Sequence, residues 1–244
     1  MIQINQLYKS FGTNQVLKGI DLNLDKPGIT AILGPNGSGK TTLIKSILGM
    51  VLPDQGHILF DGKPIHKKWA YRETIGYLPQ IVRFPENLKP AEMFALIKNL
   101  RGQNPDLQHL INRFELEPFL QKRLGNLSGG TRQKINLVQA FGFDSKVLIL
   151  DEPTAGLDPV SVIELKKLLE EERKKGKIIL LTTHIISFVE EMAEQMVFLL
   201  DGHIHFKGDQ KTLKSTFGDD RLERAIANIL RKDAINQSEP EKII

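Results

Sequence analysis

The 244-residue chain predicts an α/β fold built around a parallel sheet. Three observations carry that expectation. Two continuous apolar runs, Val147-Leu148-Ile149-Leu150 and Ile178-Ile179-Leu180-Leu181, have the character of strands buried on both faces. A third run, Ile29-Thr30-Ala31-Ile32-Leu33, passes through the octet Gly34-Pro35-Asn36-Gly37-Ser38-Gly39-Lys40-Thr41 into an amphipathic segment, Thr42 to Met50, with apolar Leu43, Ile44, Ile47 and Leu48. Residues 83–126 then turn to helical periodicity, so the sheet is expected to carry a mainly helical insertion.

The octet fits the phosphate-binding pattern G-x-x-x-x-G-K-[ST] without a mismatch. By chance it should arise in roughly one chain of this size in a hundred, and the strand before it and helix after it shrink that chance further. The glycines let the backbone bend around an oxyanion, so that successive N–H groups and a helix N-terminus point at one phosphate chain. A helix dipole near the surface offers only about 0.3–1 kcal/mol, whereas micromolar to millimolar nucleotide binding needs roughly 4–8 kcal/mol. Lys40 and a metal must supply much of the rest. Lys40 is assigned to the β/γ-phosphates, the Thr41 hydroxyl to Mg²⁺, and the Thr42 N–H to the neighbourhood of the phosphates.

Before the octet, Ile2, Ile4, Val16, Leu17, Ile20, Leu22 and Leu24 alternate with polar residues as in short antiparallel strands, with a turn at Gly12-Thr13-Asn14. Phe11 is placed to stack on an adenine ring, with ordinary core packing as the competing reading. After the octet, Pro53-Asp54-Gln55-Gly56 is a turn, His57 to Gly62 a strand and hairpin turn, and Ile75 to Gln80 a strand ended by Pro79. Gln80 then stands at a strand tip, where its neutral amide can meet a metal or a water. Helices are expected over Pro90 to Leu100, Leu107 to Phe114 and Pro118 to Leu124.

Leu127-Ser128-Gly129-Gly130-Thr131-Arg132-Gln133 precedes a segment of helical spacing, Lys134 to Phe141. Ser128, Gly129 and Gly130 make a second anion cradle, with a plain N-cap as the bland alternative. One nucleotide seldom needs two cradles from one chain. The apolar run at 147–150 ends in Asp151 and Glu152, which emerge beyond the carboxyl end of a buried strand, where ligands of open α/β sheets sit. Asp151 is expected to order Mg²⁺ and its waters, and Glu152 to polarise an attacking water. Asp158 opens a helix over Val160 to Arg173 and is read either as its cap or as a contact to the nucleotide. His184, at the tip of the run from Lys177, is assigned to the γ-phosphate. The chain closes with a hairpin, Val197 to Phe206, an amphipathic helix with Leu222, Ile226 and Leu230 on one stripe, and a frayed polar tail after Lys232.

Composition bounds the function further. A net charge of +4 could suit nucleic acid or an anionic membrane surface, but the charges are spread along the chain, so the favoured reading is a solvated surface with no nucleic-acid partner expected. With no cysteine, disulfides and thiolate metal sites are excluded. The N-terminus lacks a signal-peptide layout, and no uncharged apolar run approaches the eighteen or so residues of a membrane span.

In order, Phe11, the phosphate loop, Gln80, the stretch Leu127 to Arg132, Asp151-Glu152, Asp158 and His184 resemble the motifs of the ATP-binding cassette (ABC) ATPase family across nearly the whole chain. The resemblance implies an ABC-type P-loop NTPase fold, with a RecA-like core and an antiparallel β subdomain over 1–82 and 143–206. It further implies a helical subdomain over 83–142 carrying the signature, and a C-terminal helical extension and tail over 207–244. ATP and Mg²⁺ are the implied ligands. Two copies would face head to tail, each ATP lying between the phosphate loop of one and the signature of the other, which accounts for the two cradles. Swinging such an equilibrium from 1:99 to 99:1 takes about 5.5 kcal/mol, within reach of a few charge-assisted contacts at roughly 1.5–3 kcal/mol each from Ser128, Gly130 and His184.

Two positions depart from the family pattern: Thr131 stands where glutamine is frequent, and Phe11 where tyrosine is common. Neither touches the Ser128-Gly129-Gly130 cradle, so little effect on catalysis is expected. The helical insertion and the ending Arg221-Leu222-Glu223-Arg224-Ala225-Ile226 look like exporter ATPase subunits whose membrane permease is a separate polypeptide. Such a subunit is cytoplasmic and peripheral on the inner face of the cell membrane. More narrowly, Tyr77-Leu78-Pro79-Gln80 with Arg83-Phe84-Pro85-Glu86-Asn87-Leu88 and the signature bearing Thr131 are similar to the ATPase of the copper-related transporter serving nitrous-oxide reductase maturation, which implies a periplasmic accessory protein as well. The alternative is a soluble ABC mechanoenzyme acting on ribosomes or DNA. Such proteins usually carry two cassettes or a long coiled-coil insertion, and this chain has neither. A GTPase or kinase is weaker still, because no N-K-x-D element occurs and the second cradle would be unexplained.

Overall fold

The computed structural model describes residues 1–81, 83–217 and 221–228. In chain order, β1 (Ile2–Phe11) and β2 (Asn14–Leu24) form a hairpin, β3 (Gly28–Leu33) leads into α1 (Lys40–Ile47), and β4 (Gln55–Phe60) turns into the short β5 (Lys63–Pro64). A 3₁₀ turn, Ala70–Thr74, precedes β6 (Ile75–Leu78). Then come α2 (Pro90–Arg101), α3 (Gln108–Arg113), α4 (Gly129–Phe141), β7 (Val147–Asp151), α5 (Pro159–Lys174) and β8 (Ile178–Thr182). The last elements are α6 (Ile186–Met192), β9 (Gln195–Leu200), β10 (His203–Gly208), α7 (Gln210–Phe217) and a helical segment over 222–228.

Two sheets result. The antiparallel one runs β2-β1-β4-β5, and the six-stranded one β10-β9-β3-β8-β7-β6. In the larger sheet β9, β3, β8, β7 and β6 are parallel and only the edge strand β10 is antiparallel. Its central strands are buried throughout, as their unbroken apolar runs require. The period-two alternation of side chains decides which layer each residue meets. Ile149, Leu180, Ile32 and Val197 pack with Leu43, Ile44 and Ile47 of α1 and with Ile2, Ile4 and Leu22 of the small sheet. Leu148, Leu150, Leu181 and Ala31 pack instead with the helical segment, through Met93, Leu110, Ile135, Leu165 and Phe188. A RecA-like parallel sheet with an antiparallel sheet on one face and helices on the other is the expected α/β architecture.

Register sets up the site. Ile32 pairs with Thr182 and Asp151 with Thr182, while Leu78 pairs with Leu150. The carboxyl ends of β3, β8, β7 and β6 therefore finish together, delivering the glycine loop, Thr182, Asp151-Glu152 and Gln80 to one edge of the sheet.

Several boundaries differ from expectation. Pro118 to Leu124 is not a helix but two 3₁₀ turns, Glu117–Phe119 and Leu124–Asn126. Backbone bonds from the Leu124 N–H to Leu88 O and from the Gly125 N–H to Glu86 O tie this stretch to the segment before α2 instead. The signature helix starts at Gly129, five residues before the expected start, because Ser128 caps it through the Thr131 N–H at 3.1 Å. The helix α1 also starts and stops early, ending where Gly49 takes a left-handed φ of 64°. The N-terminal strands are long, at 10 and 11 residues, and α6 and α7 had no expectation attached. Leu222 and Ile226 are buried as the stripe predicts, while Leu230 and the polar tail after Lys232 lie outside the described residues.

The contact between α4 and β6 is close enough to be tested. A Cβ added to Gly76 of β6 would lie 2.4 Å from Ala140 O of α4 and 2.6 Å from a Leu148 methyl. Gly76→Ala is expected to push α4 off the sheet and destabilise the fold by about 2 kcal/mol, read as a lowered urea midpoint.

Candidate active site

The glycine loop is shaped by close backbone approach. A Cβ at Gly34 would meet Leu199 O at 2.0 Å, and one at Gly39, whose φ is 105°, would meet Val16 O at 2.9 Å. Gly39 is the N-cap of α1, so the free N–H groups of that helix face the loop. The buried Ser38 hydroxyl has no partner, which marks the loop as built for a group supplied from outside the chain. Lys40 Nζ donates to Gly34 O at 2.7 Å and Pro35 O at 2.8 Å, folded over the loop. Burial pulls its ammonium below the ordinary lysine value, against the opposing pull of Glu152 and Asp151.

At the end of β7 the buried Asp151 carboxylate is held from two sides. The Thr182 hydroxyl donates to Oδ1 at 2.5 Å, and the Thr41 hydroxyl donates to Oδ2 at 3.3 Å. The next residue, Glu152, sits in the left-handed region at φ 53°, which is costly for a residue with a Cβ. Its N–H is anchored to Thr182 O and to Thr182 Oγ1, both at 3.1 Å. The bend turns its carboxylate toward His184, whose Nδ1 lies 3.1 Å from both carboxylate oxygens although the imidazole side chain is 74% exposed. The phenol of Tyr77 on the neighbouring β6 is pushed up to about 12, mainly by burial and then by the charge of Asp151.

These groups border an open cleft of about 440 Å³ lined by Asn14, Val16, Asn36, Gly37, Gly39, Lys40, Thr41, Thr42, Gln80, Asp151 and Glu152. Thr41, Gln80 and Asp151 thus bring hydroxyl, amide and carboxylate oxygens to one wall, a hard donor set that suits Mg²⁺. Among the described residues no group of three or more His, Cys, Asp or Glu could hold a metal. Gly34, Pro35 and Ser38 complete the loop behind this wall. Phe11 ends β1 beside Asn14 and is 52% exposed, with Lys9 Nζ 5.3 Å from its ring centroid; the ring stands next to the cleft rather than in its lining.

Ser128, Gly129 and Gly130 are elsewhere, at the start of α4 and outside this lining. Against the expectation that Thr131 leaves the cradle untouched, its hydroxyl lies 2.8 Å from that of Ser128, because position 131 falls one turn along the helix that Ser128 caps, and it takes up one of the cradle's own hydrogen-bonding positions. Asp158 caps α5: it accepts from the Ser161 N–H at 2.9 Å, the Ser161 hydroxyl at 2.8 Å and Lys134 Nζ at 2.8 Å. Lys134 first, and then the Ser161 donors, hold its carboxyl far below the usual range. Gly130 approaches the same segment, since a Cβ there would lie 2.7 Å from Gly156 O. The beginning of α4 is thereby fixed to the loop that follows Glu152.

Thr182 is the functional position that sequence reasoning passed over. Its signal was a hydroxyl at the end of an apolar run, two residues before His184, but only strand register reveals which carboxylate it meets. Thr182→Val keeps the shape and removes the donor to a buried carboxylate, so a loss of about 2 kcal/mol in unfolding free energy is expected by urea titration.

Comparison with known proteins agrees with this geometry. The family model described as ABC transporter matches residues 17–155. The uncharacterized ABC transporter ATP-binding protein YhaQ of Bacillus subtilis is 32% identical over 223 residues, covering 89% of this chain and 74% of that protein. The L-cystine import ATP-binding protein TcyC of the same organism is 30% identical over 244 residues, covering 94% and 99%. A solved structure of an ATP binding subunit of an ABC transporter superimposes with a TM-score of 0.88 at 28% identity, over 94% of this chain and 99% of that one. With the phosphate loop, the acidic strand end and the signature helix all in place, the chain belongs to the ABC transporter family and forms its ATP-binding, ATP-hydrolysing domain.

Proposed function

We propose that this chain is the ATPase subunit of a transporter whose membrane-spanning permease is a separate polypeptide, and that it works as a head-to-tail homodimer with two composite sites. The observation that carries the reading is the separation of the two anion cradles: Ser128-Gly129-Gly130 opens α4 and does not line the cleft around Lys40. A second copy, turned end to end, brings its cradle to that cleft. Among the described residues no helix is long and apolar enough to cross a membrane, so transport needs a partner that does. A subunit of this kind works from the cytoplasm, peripheral on the inner face of the membrane.

In this reading the N–H groups of Gly37 to Thr42 and the Lys40 ammonium hold the β- and γ-phosphates, and Phe11 stacks on the adenine. Thr41, Gln80 and Asp151 would hold Mg²⁺, which would supply charge neutralisation when bound. Glu152 accepts a proton from the attacking water. His184, already against both Glu152 oxygens, turns outward to the γ-phosphate, and its exposed side chain leaves room for that movement. Asp158 communicates across the dimer through the loop that Lys134 and Gly130 brace.

The finer assignment is an exporter of the copper-related class serving nitrous-oxide reductase maturation, with a periplasmic accessory protein. It rests on Tyr77 to Gln80, Arg83 to Leu88 and the threonine-bearing signature. A permease and a periplasmic repeat protein encoded beside this chain would support it, and their absence would remove it.

Glu152→Gln is expected to keep ATP binding, lose turnover by at least a hundredfold and elute as a nucleotide-dependent dimer on size exclusion; a monomeric, fully active variant would overturn the assignment. Lys40→Ala should weaken ATP binding at least tenfold by calorimetry. In a mixture of Ser128→Ala with Lys40→Ala subunits, one intact composite site should form per heterodimer and restore part of the turnover that each variant alone lacks. If no activity returns, the shared-site geometry is wrong.

A further inference from the structure

A second cleft, about 330 Å³, lies away from the ATP site, between the end of α1, β4 and the segment joining β5 to β6. Its apolar lining includes Val51, Pro53 and the buried Ile58 and Ile65. The rim is cationic: Lys67, Lys68 and Arg72, with His57 and His66 beside them, and no carboxylate among the described lining residues. Three large apolar side chains protrude around it, Trp69 at 71%, Met50 at 57% and Leu52 at 53% exposure. The acidic side chain nearest that rim in sequence is the exposed Glu73, which follows Arg72 but lies outside the lining; Asp54 pairs with Lys9 and Asp61 with the N-terminal ammonium. Lys67 takes a left-handed φ of 54°, turning the chain sharply between His66 and Trp69.

We propose that this corner is a lipid-contact site that inserts Trp69 into the headgroup layer of an anionic bilayer while Lys67, Lys68 and Arg72 pair with lipid phosphates. An exposed tryptophan with lysines beside it is the composition of a membrane interface, where the indole is apolar in body and polar at its N–H. Single-signed charge without carboxylates complements an anionic surface. The segment is tied to the ATPase core, because the Tyr71 hydroxyl donates to Ile47 O at 3.0 Å and Arg72 donates to Gly49 O at 3.0 Å, both at the end of the phosphate-loop helix. Lipid contact there fixes the height of α1 relative to the bilayer. The inference rests on the reading of the chain as a membrane-peripheral subunit, and adds a direct lipid contact to the permease contact.

Trp69 is the only tryptophan in the chain, so its fluorescence reports on this corner alone. The full-length protein, without permease, is titrated with phosphatidylglycerol-containing and pure phosphatidylcholine vesicles, and cosedimentation is read in parallel. A blue shift and sedimentation with the anionic vesicles only are expected. Each lysine near such a surface strengthens binding about fivefold. Lys67→Gln with Lys68→Gln should therefore weaken partition about thirtyfold, and Trp69→Ala should weaken sedimentation, with ATP binding unchanged in both. No shift with anionic vesicles, or equal binding to both kinds, overturns the proposal. So does a shift that appears only when a detergent-solubilised permease is added, which would make the corner a protein contact. Failure of vesicle binding with permease copurification intact rejects this inference alone, whereas loss of copurification rejects the transport reading.

Discussion

The common ending of the parallel strands is the constraint on which the site depends. Because β3, β8 and β7 pair in register through Ile32, Thr182 and Asp151, a phosphate-binding loop and two carboxylates arrive at one edge without any loop having to be long. The charges would repel a triphosphate if they were free to approach it. Thr182 fixes their positions by taking one oxygen of Asp151 and the backbone N–H of Glu152, so the first carboxylate faces Thr41 and the second His184. The strain of a left-handed Glu152 is thus held by neighbours on a buried strand, which is where such strain persists.

The chemistry of the loop shows in its own bonding. Lys40 donates to carbonyls of the loop it will share with phosphate, and Ser38 keeps a buried hydroxyl without a partner. Both are arrangements that an incoming anion improves, since each offers donors to a charged acceptor in place of a neutral one or none. The second cradle differs: Ser128 already caps α4 and touches Thr131, and it lies where its own chain's ligand does not reach. In the head-to-tail arrangement proposed above, association with a second copy and nucleotide binding become one event. That is how ligand free energy becomes movement.

Between the cradle and the catalytic strand runs a rigid link. Lys134 bonds Asp158, Gly130 lies against Gly156, and the Ala155 N–H bonds Glu152 O, so the start of α4 is in direct contact with the turn after β7. At the other end of the phosphate-loop helix, Tyr71 and Arg72 hold the last carbonyls of α1 to the corner that carries Trp69. Chemistry at the loop and contacts at that corner therefore share one helix.

The amino-acid sequence by itself determined the fold class and most of the site. Short unbroken apolar runs fit doubly covered strands, and a glycine octet that ends in Lys40 and Thr41 leaves little else to bind but phosphate. Helix ends were less legible, because Ser128 and Gly49 act through capping bonds and left-handed geometry that shift boundaries by several residues. Pro118 to Leu124 has helical periodicity, but Leu124 and the following Gly125 bond to Leu88 and Glu86, partners nearly forty residues away. Only the tertiary structure decided that Thr182 meets Asp151, that Asp158 serves as a cap joined to Lys134, and that Ser128 stands apart from Lys40. Each of these depends on which residues face one another across strands and loops, and a pattern read along one chain carries no information about distance across the fold.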